Sequence, residues 1–442
     1  MSTTPLMNKT NVLDLLEKQD YTALRRLFKE SEAADVAEIC SDVSLVLSVR
    51  LFRLVSRTRR VEIFSRLELE RQEDFVIELP RVLITSILNE LDPDDRTKLL
   101  ERLDEEIQDQ LIAELNPEER LVASELLSYP ESSVGRLMNP EVISFEAGMS
   151  VGDALKYIRW AKIISDEYLN NLFIVDEEKT LIGEVSLTVL VSTDPLTLPV
   201  SEIMRRSLVT LSPLDEEGQA VEMARKYDRS SYPVVDENKK LLGVVTSDDI
   251  FDVAEDEATE DIQQFGGQGA LEDSYFQTPL LTMLQKRAGW LAVLFVGGFL
   301  SCAAIASYEV AFSKWAFLVL FLPIVGSSGG NSGTQAASLI IRGLAIKEME
   351  QKDVWRVLSR ELVTGVFLGL ILALLGFLYS YTFDGQIGHY QWYHLGTAIA
   401  LSVLCVVLLG VTVGSMLPFV FNRINLDPAV VSSPFISTIM DV

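Results

Sequence analysis

Three groups of residues in this 442-residue sequence have the types and spacing to do chemistry, and all three work through oxygen. The first is Asp441, which falls in the apolar run Phe435-Ile436-Ser437-Thr438-Ile439-Met440-Asp441-Val442. A carboxylate near mid-bilayer costs ~2.5–3.5 kcal/mol on insertion scales unless it faces water, a cation or a partner. No Lys or Arg in the apolar stretches is an evident mate, so a hydrated divalent cation is the expected one. Magnesium fits, because it dehydrates reluctantly and binds carboxylate with waters retained. Pro434, Ser432, Ser433 and Ser437 would offer carbonyls and hydroxyls to those waters. The second group is Leu322-Pro323-Ile324-Val325-Gly326-Ser327-Ser328-Gly329-Gly330-Asn331-Ser332-Gly333-Thr334-Gln335, with four glycines. Backbone freed by Gly and Pro must face protein or a wet cavity inside a bilayer. Asn331 and Gln335 are therefore expected to line a pore. The alternative is a packing seam, which needs small residues but has no use for Asn and Gln. The third group is Asp249, Asp252, Glu257 and Glu260, with Asp248, Glu255, Asp256 and Asp261 nearby. Steps of three share a helix face, and like charges this dense repel unless water or cations screen them. Divalent cations could bridge this helix to itself, to a second copy, or to the acidic loop at Asp92, Asp94 and Asp95. A merely solvated acidic face is the alternative.

Composition shows where these groups sit. The chain carries 64 Asp+Glu against 38 Lys+Arg, yet its mean hydropathy is +0.23. All but 8 of the acids and all but 9 of the bases precede Lys286, which leaves residues 1–285 with a net charge of −27. The sequence thus divides into an acidic soluble part and an almost uncharged membrane part. That surface excludes nucleic acid, whose phosphates need a basic patch, and favours cations. Three cysteines (Cys40, Cys302, Cys405) fit neither a disulfide framework nor a zinc site. Two histidines, His389 and His394, leave no His-Glu-x-x-His motif. No apolar run follows Met1, so the acidic part is expected to stay in the cytosol.

The elements that must position these groups follow from periodicity. Residues 1–135 read as an acidic all-α superhelical domain, with apolar residues at helical spacing in Leu45 to Leu54, Val82 to Leu91 and Leu99 to Leu115. Asp92-Pro93 and Asn116-Pro117 read as N-cap and first helical position. Residues 136–254 read as α+β, with an internal repeat. Phe173-Ile174-Val175-Asp176 … Leu181-Ile182-Gly183 matches Pro233-Val234-Val235-Asp236 … Leu241-Leu242-Gly243 at an offset of 60, and Leu137-Met138 matches Ile203-Met204 at 66. This resembles a tandem CBS pair. That resemblance implies a nucleotide ribose held by Thr246 and Asp249 in the second copy. The first copy, with Ser186-Leu187-Thr188-Val189, lacks the Asp. Residues 255–287 read as an acidic connector, broken at Gly266-Gly267-Gln268-Gly269 and ending in an amphipathic helix from Tyr275 to Lys286. Residues 288–442 read as a helical polytopic membrane domain, with stretches at about Ala288–Tyr308, Trp315–Ile341, Leu362–Phe383 and Leu395–Phe421. A last stretch from Pro428 reaches only ~22 Å as helix and is read as a fifth span cut short, with a re-entrant segment as the alternative. Arg342, Lys347, Lys352, Arg356, Arg360 and Arg423 place the basic loops on the cytosolic side.

In this order the parts look like the MgtE family of magnesium channels. The most specific pieces are Pro323 to Gln335, Asp427-Pro428-Ala429-Val430-Val431-Ser432-Ser433-Pro434, and Asp441. The resemblance implies a homodimer in the cell membrane with five membrane helices per chain. It implies a pore on the dimer axis, where Asp441, with Asn331 and Ser437, holds hydrated magnesium. It further implies that Asp228, Asp249, Asp252, Glu257, Glu260 and Asp261, with Asp94, bind regulatory magnesium, and that the helix near Tyr275–Gln285 plugs the pore mouth. Ser433 stands where the family has Asn. ATP at the CBS pair is the expected second ligand. The rival readings are a non-conducting magnesium sensor and a transporter of manganese, cobalt or nickel. An oxygen-only, thiolate-free site favours magnesium. An enzyme is not expected.

Overall fold

The computed structural model describes residues 8–160, 171–271, 275–276, 278–384, 391–424 and 426–442. The chain forms two compact units, Met1–Glu255 and Asp256–Val442.

The first unit opens with short helices α1 (Lys9–Glu17), α2 (Tyr21–Glu30), α3 (Ala33–Asp42), α4 (Leu45–Leu54), α5 (Arg57–Ser65), α6 (Leu69–Glu78), α7 (Arg81–Glu90), α8 (Pro93–Arg102), α9 (Glu105–Glu114) and α10 (Pro117–Leu127). From Lys9 to Pro117 a new helix starts every 12 residues. Most repeats turn residues inward at i, i+3 and i+4, as in Leu24-Leu27-Phe28, Val36-Ile39-Cys40 and Ile84-Ile87-Leu88, all buried. A fourth inward residue closes most repeats: Val43, Val55, Leu67, Leu79, Leu91 and Leu115 are buried too. A ten-residue helix is only ~15 Å long and marginal alone, so these repeats are stable by stacking on a shared core. Where the first position of this set is Arg or Gln, its side chain caps the preceding helix. Arg60 donates to the carbonyls of Arg53 and Val55, Gln72 to Ser65 and Leu67, and Arg96 to Leu88 and Leu91; Gln108 reaches Leu100, and Arg120 reaches Leu115. These bonds satisfy carbonyls that a helix end leaves without partners. The apolar stretch Leu99 to Leu115 is two helices, parted at Leu103 and Asp104.

The repeated α+β part follows α11 (Val134–Leu137). The first copy holds β1 (Ser144–Glu146), α12 (Val151–Trp160), β2 (Leu172–Val175), β3 (Leu181–Val185) and α13 (Leu187–Ser192). The second holds α14 (Glu217–Tyr227), β4 (Ser231–Val235), β5 (Leu241–Thr246) and α15 (Ser247–Phe265). β2 pairs antiparallel with β3, and β4 with β5, with a bulge at Ile174/Val175 in one copy and at Val234/Val235 in the other. The offset of 60 thus persists in register. It also explains two glycines. A methyl built at Gly183 would lie 2.4 Å from the Met204 sulfur, and one at Gly243 would lie 2.7 Å from the Asn139 carbonyl oxygen.

The second unit takes α15 from Asp256 onward and adds α16 (Leu280–Ser307), α17 (Glu309–Lys314), α18 (Leu322–Ala345), α19 (Val354–Tyr379), α20 (Trp392–Arg423) and α21 (Ser433–Asp441). The expected separate helix over Tyr275–Lys286 is not what forms. Tyr275 and Phe276 sit in a turn, and α16 runs unbroken from Leu280 through Lys286 and Arg287 into the apolar stretch. Pro279 sets its start. Gly289 alone costs a helix only ~1 kcal/mol. Residues 272–274 and 277 of the expected connector lie outside the described residues. Leu280–Ser307, Gln351–Phe383 and Trp392–Arg423 are long and apolar enough to cross a membrane. α18, with 24 residues, is long enough but more polar, because Gly, Ser, Asn and Thr fill it. It packs on α20 at glycine contacts: a methyl at Gly410 would meet the Gly329 carbonyl oxygen at 2.3 Å, and one at Gly414 the Gly333 oxygen at 2.1 Å.

Candidate functional site

In the first unit, the turn before α8 and the start of α15 bring carboxylates together. Asp92 is the N-cap of α8, and Asp94 and Asp95 fill its first turn, where acids suit the helix dipole. Asp248 and Asp249 occupy the first turn of α15. Asp94 is 8% exposed and accepts a hydrogen bond from Asn139 Nδ2 at 3.2 Å. Burial pushes its carboxyl well above the usual range, and Asp249, Asp95 and Asp92 add to the effect. Burial and the charge of Asp249 push Asp95 up to about 7, although Lys98 opposes the shift. Burial and Asp248 likewise push Asp249 up to about 7, although Thr246 donates to it at 2.7 Å. Lys98 instead pairs with Asp252 at 2.9 Å. The buried Arg96 is committed to Glu119, at 2.6 Å, and to the end of α7. The cluster is thus a repulsive one, and a proton or a cation relieves it.

Of the remaining expected residues of this unit, Asp252 adds to the charge on Asp249, whereas Asp228 does not act on the cluster. Asp228 ends α14 in the left-handed region (φ +49°) and lines a cavity of about 620 Å3 with Arg225, Arg229, Ser247 and Phe251. Thr246 and Asp249 bond to each other, with Asp249 set among the carboxylates of α8.

In the second unit, Glu257, Glu260 and Asp261 line a cavity of about 370 Å3 with Asn422, Asp427 and Pro428. Burial pushes Asp261 up to about 6, and Asp427, Glu257 and Glu260 contribute. Asp427 escaped the sequence reading as a site residue. Its Oδ1 accepts from Ala429 N at 2.8 Å, and a sequence signals only that capping role.

The membrane residues form a third arrangement. α18 buries Gly329, Gly330, Ser332, Gly333, Ala336 and Ala337, and leaves Ser327, Asn331 and Gln335 exposed at four-residue spacing. Asn331 Nδ2 donates to Ser327 Oγ at 3.3 Å. α21 lies against the same helix. A methyl at Gly326 would sit 3.2 Å from Asp441 Oδ1, and one at Gly330 would sit 3.3 Å from Ser437 Oγ. Asp441 is exposed at the end of α21. Of the other oxygens expected to hold waters, three are engaged: Ser432 Oγ is fully buried and accepts from Trp290, the Pro434 carbonyl accepts from Thr438, and Ser433 Oγ shares a hydrogen bond with Thr334 Oγ1 at 3.4 Å. Among the described residues, no three His, Cys, Asp or Glu side chains are arranged to ligate a metal directly.

Comparison with known proteins covers all three parts. Residues 31–132 match the MgtE intracellular N domain, 134–193 and 200–256 match the CBS domain, and 322–442 match the MgtE divalent cation transporter family. The chain is 31% identical to the magnesium transporter MgtE of Thermus thermophilus, over 97% of this chain and 94% of that protein. It is 29% identical to that of Bacillus subtilis, over 98% and 93%. Among solved structures, the cytosolic domain of the Mg2+ channel MgtE in complex with ATP superposes with a TM-score of 0.52 at 29% identity, over 56% of this chain and all of that one.

Proposed function

The chain belongs to the MgtE family and is a magnesium transporter of the membrane, and from that premise we propose a homodimeric channel whose path runs along α18 to Asp441. One observation carries the path: Ser327, Asn331 and Gln335 form an exposed polar stripe on a membrane helix whose other face is packed. Lipid would not solvate that stripe, so it faces water and the matching stripe of a second copy. Magnesium passes with its waters kept. The Asn331 amide and Ser437 hydroxyl contact those waters, and Asp441 supplies the charge. One carboxylate per chain on a two-fold axis binds well enough to admit the ion and weakly enough to release it. The set is all oxygen, which favours magnesium over manganese, cobalt or nickel.

The cytosolic carboxylates are the switch. Asp94 and Asp249, with Asp95, hold one regulatory magnesium site. Glu257, Glu260 and Asp261, with Asp427, hold another, and Asp228 and Asp252 add ligands. At low cytosolic magnesium the carboxylates repel and the path opens; at high magnesium bridging ions shut it. Moving such an equilibrium from 1:99 to 99:1 takes ~5.5 kcal/mol of differential binding, within reach of several weak sites. Limited proteolysis of residues 255–275 tests this. Millimolar magnesium should slow cleavage, and the double variant Asp94→Asn, Asp249→Asn should not respond. Cleavage of the native chain that ignores magnesium would contradict the switch.

ATP is the second cytosolic ligand in this reading, with Thr246 and Asp249 on its ribose. The 2.7 Å bond between these two side chains supports it. Because Asp249 also belongs to the carboxylate cluster, nucleotide and magnesium should alter each other's affinity.

A further inference from the structure

The connector and the helix that ends in Asp441 meet at one side chain. α15 ends at Phe265, which packs against the core formed by Ala429, Val431, Ile436 and Met440. The chain then turns at Gly267, whose φ of +77° disfavours any side chain. A methyl there would lie 3.0 Å from Trp290 Cδ1 and 3.2 Å from Pro434 Cγ. Trp290, on α16, places its ring 5.7 Å from that of Phe435, and its Nε1 donates to Ser432 Oγ at 3.0 Å. Ser432 is the fully buried N-cap of α21, and its hydroxyl also accepts from Phe435 N at 3.4 Å. One hydroxyl therefore both starts α21 and receives the indole. Trp Nε1–H is a donor with no acceptor capacity, so the geometry admits only this direction.

We infer that Trp290 is a positioning residue for transport: it clamps the start of α21 to the Gly267 turn, so a shift of the connector is delivered to Asp441. This rests on the gating reading above. A loose packing contact would tolerate loss of the N–H, whereas a clamp would not. The test is a double-mutant cycle on the full-length chain in proteoliposomes. Trp290→Phe keeps a ring and removes the donor; Ser432→Ala removes the acceptor. Each should raise the internal magnesium needed for half-maximal shut-off by about five- to tenfold, the scale of one buried hydrogen bond. The double variant should shift it no further than either single variant. Unchanged shut-off in Trp290→Phe, or additive shifts, would overturn the inference. A native chain whose flux ignores internal magnesium would instead sink the gating reading. Hydrogen exchange at the Phe435 amide then decides, since it needs no transport. Faster exchange in Trp290→Phe sustains the clamp, and unchanged exchange removes it.

Discussion

The two units solve the problem of buried polarity in opposite ways. In the first, the buried Gln72 and Arg96 and the half-buried Arg60 and Gln108 spend their donors on the ends of neighbouring helices. The exception is the group in which the buried Asp94 and the half-buried Asp92, Asp95 and Asp249 crowd like charges together, with the exposed Asp248 beside them. In the second, the packed face of α18 is built mainly of glycine and alanine, with Ser332 bonded back to the helix, and Ser327, Asn331 and Gln335 form an exposed stripe. The lesson is a division of labour. The soluble unit stores repulsion that a cation can relieve, and the membrane unit sets its exposed amides and hydroxyls in a row, the stripe proposed above as the ion path.

The largest expected effect breaks the membrane side of this contrast. Gly414→Leu forces a side chain into the Gly333 carbonyl, which a methyl would already meet at 2.1 Å. Overpacking of that kind costs ~1–3 kcal/mol or more, so melting in detergent should drop by several degrees and magnesium flux should be lost. The next effect is a pH dependence of the soluble side. Asp95 and Asp249 stand near 7 when folded and return to ~3.9 when unfolded. The folded state therefore binds more protons across that interval, and stability is highest below it and falls as pH rises through 7. With a chelator present, the melting temperature should decline from about pH 5 to 8. Magnesium or Asp95→Asn should flatten the decline. The smallest effect concerns the partly exposed Lys98–Asp252 pair. Lys98→Ala should cost under ~1 kcal/mol in urea unfolding, and a larger loss would mean that this pair, not the cluster, holds α8 to α15.

Much of the architecture was legible because it rests on local rules. Pro93 and Pro117 begin helices behind Asp92 and Asn116, and Gly183 and Gly243 mark the two CBS copies by spacing alone. The twelve-residue repeat was hidden by its own exceptions. Arg, Gln and Ser sit in a column that Leu24, Val36 and Ile84 fill elsewhere, so the period lies in burial rather than in residue identity. At the sites, Asp94 and Asp249 could be paired by charge, but nothing in the sequence told Asp427 apart from an ordinary cap. Nor did it show that α16 would run continuously past Lys286, because the absence of a helix breaker is a weaker signal than its presence.

The most direct measurement compares two carboxylates in one preparation. Magnesium uptake into proteoliposomes, titrated with internal magnesium, should vanish in Asp441→Asn at every concentration. In Asp94→Asn it should persist and no longer shut off. Robust uptake by Asp441→Asn, with the shut-off intact, would contradict the account.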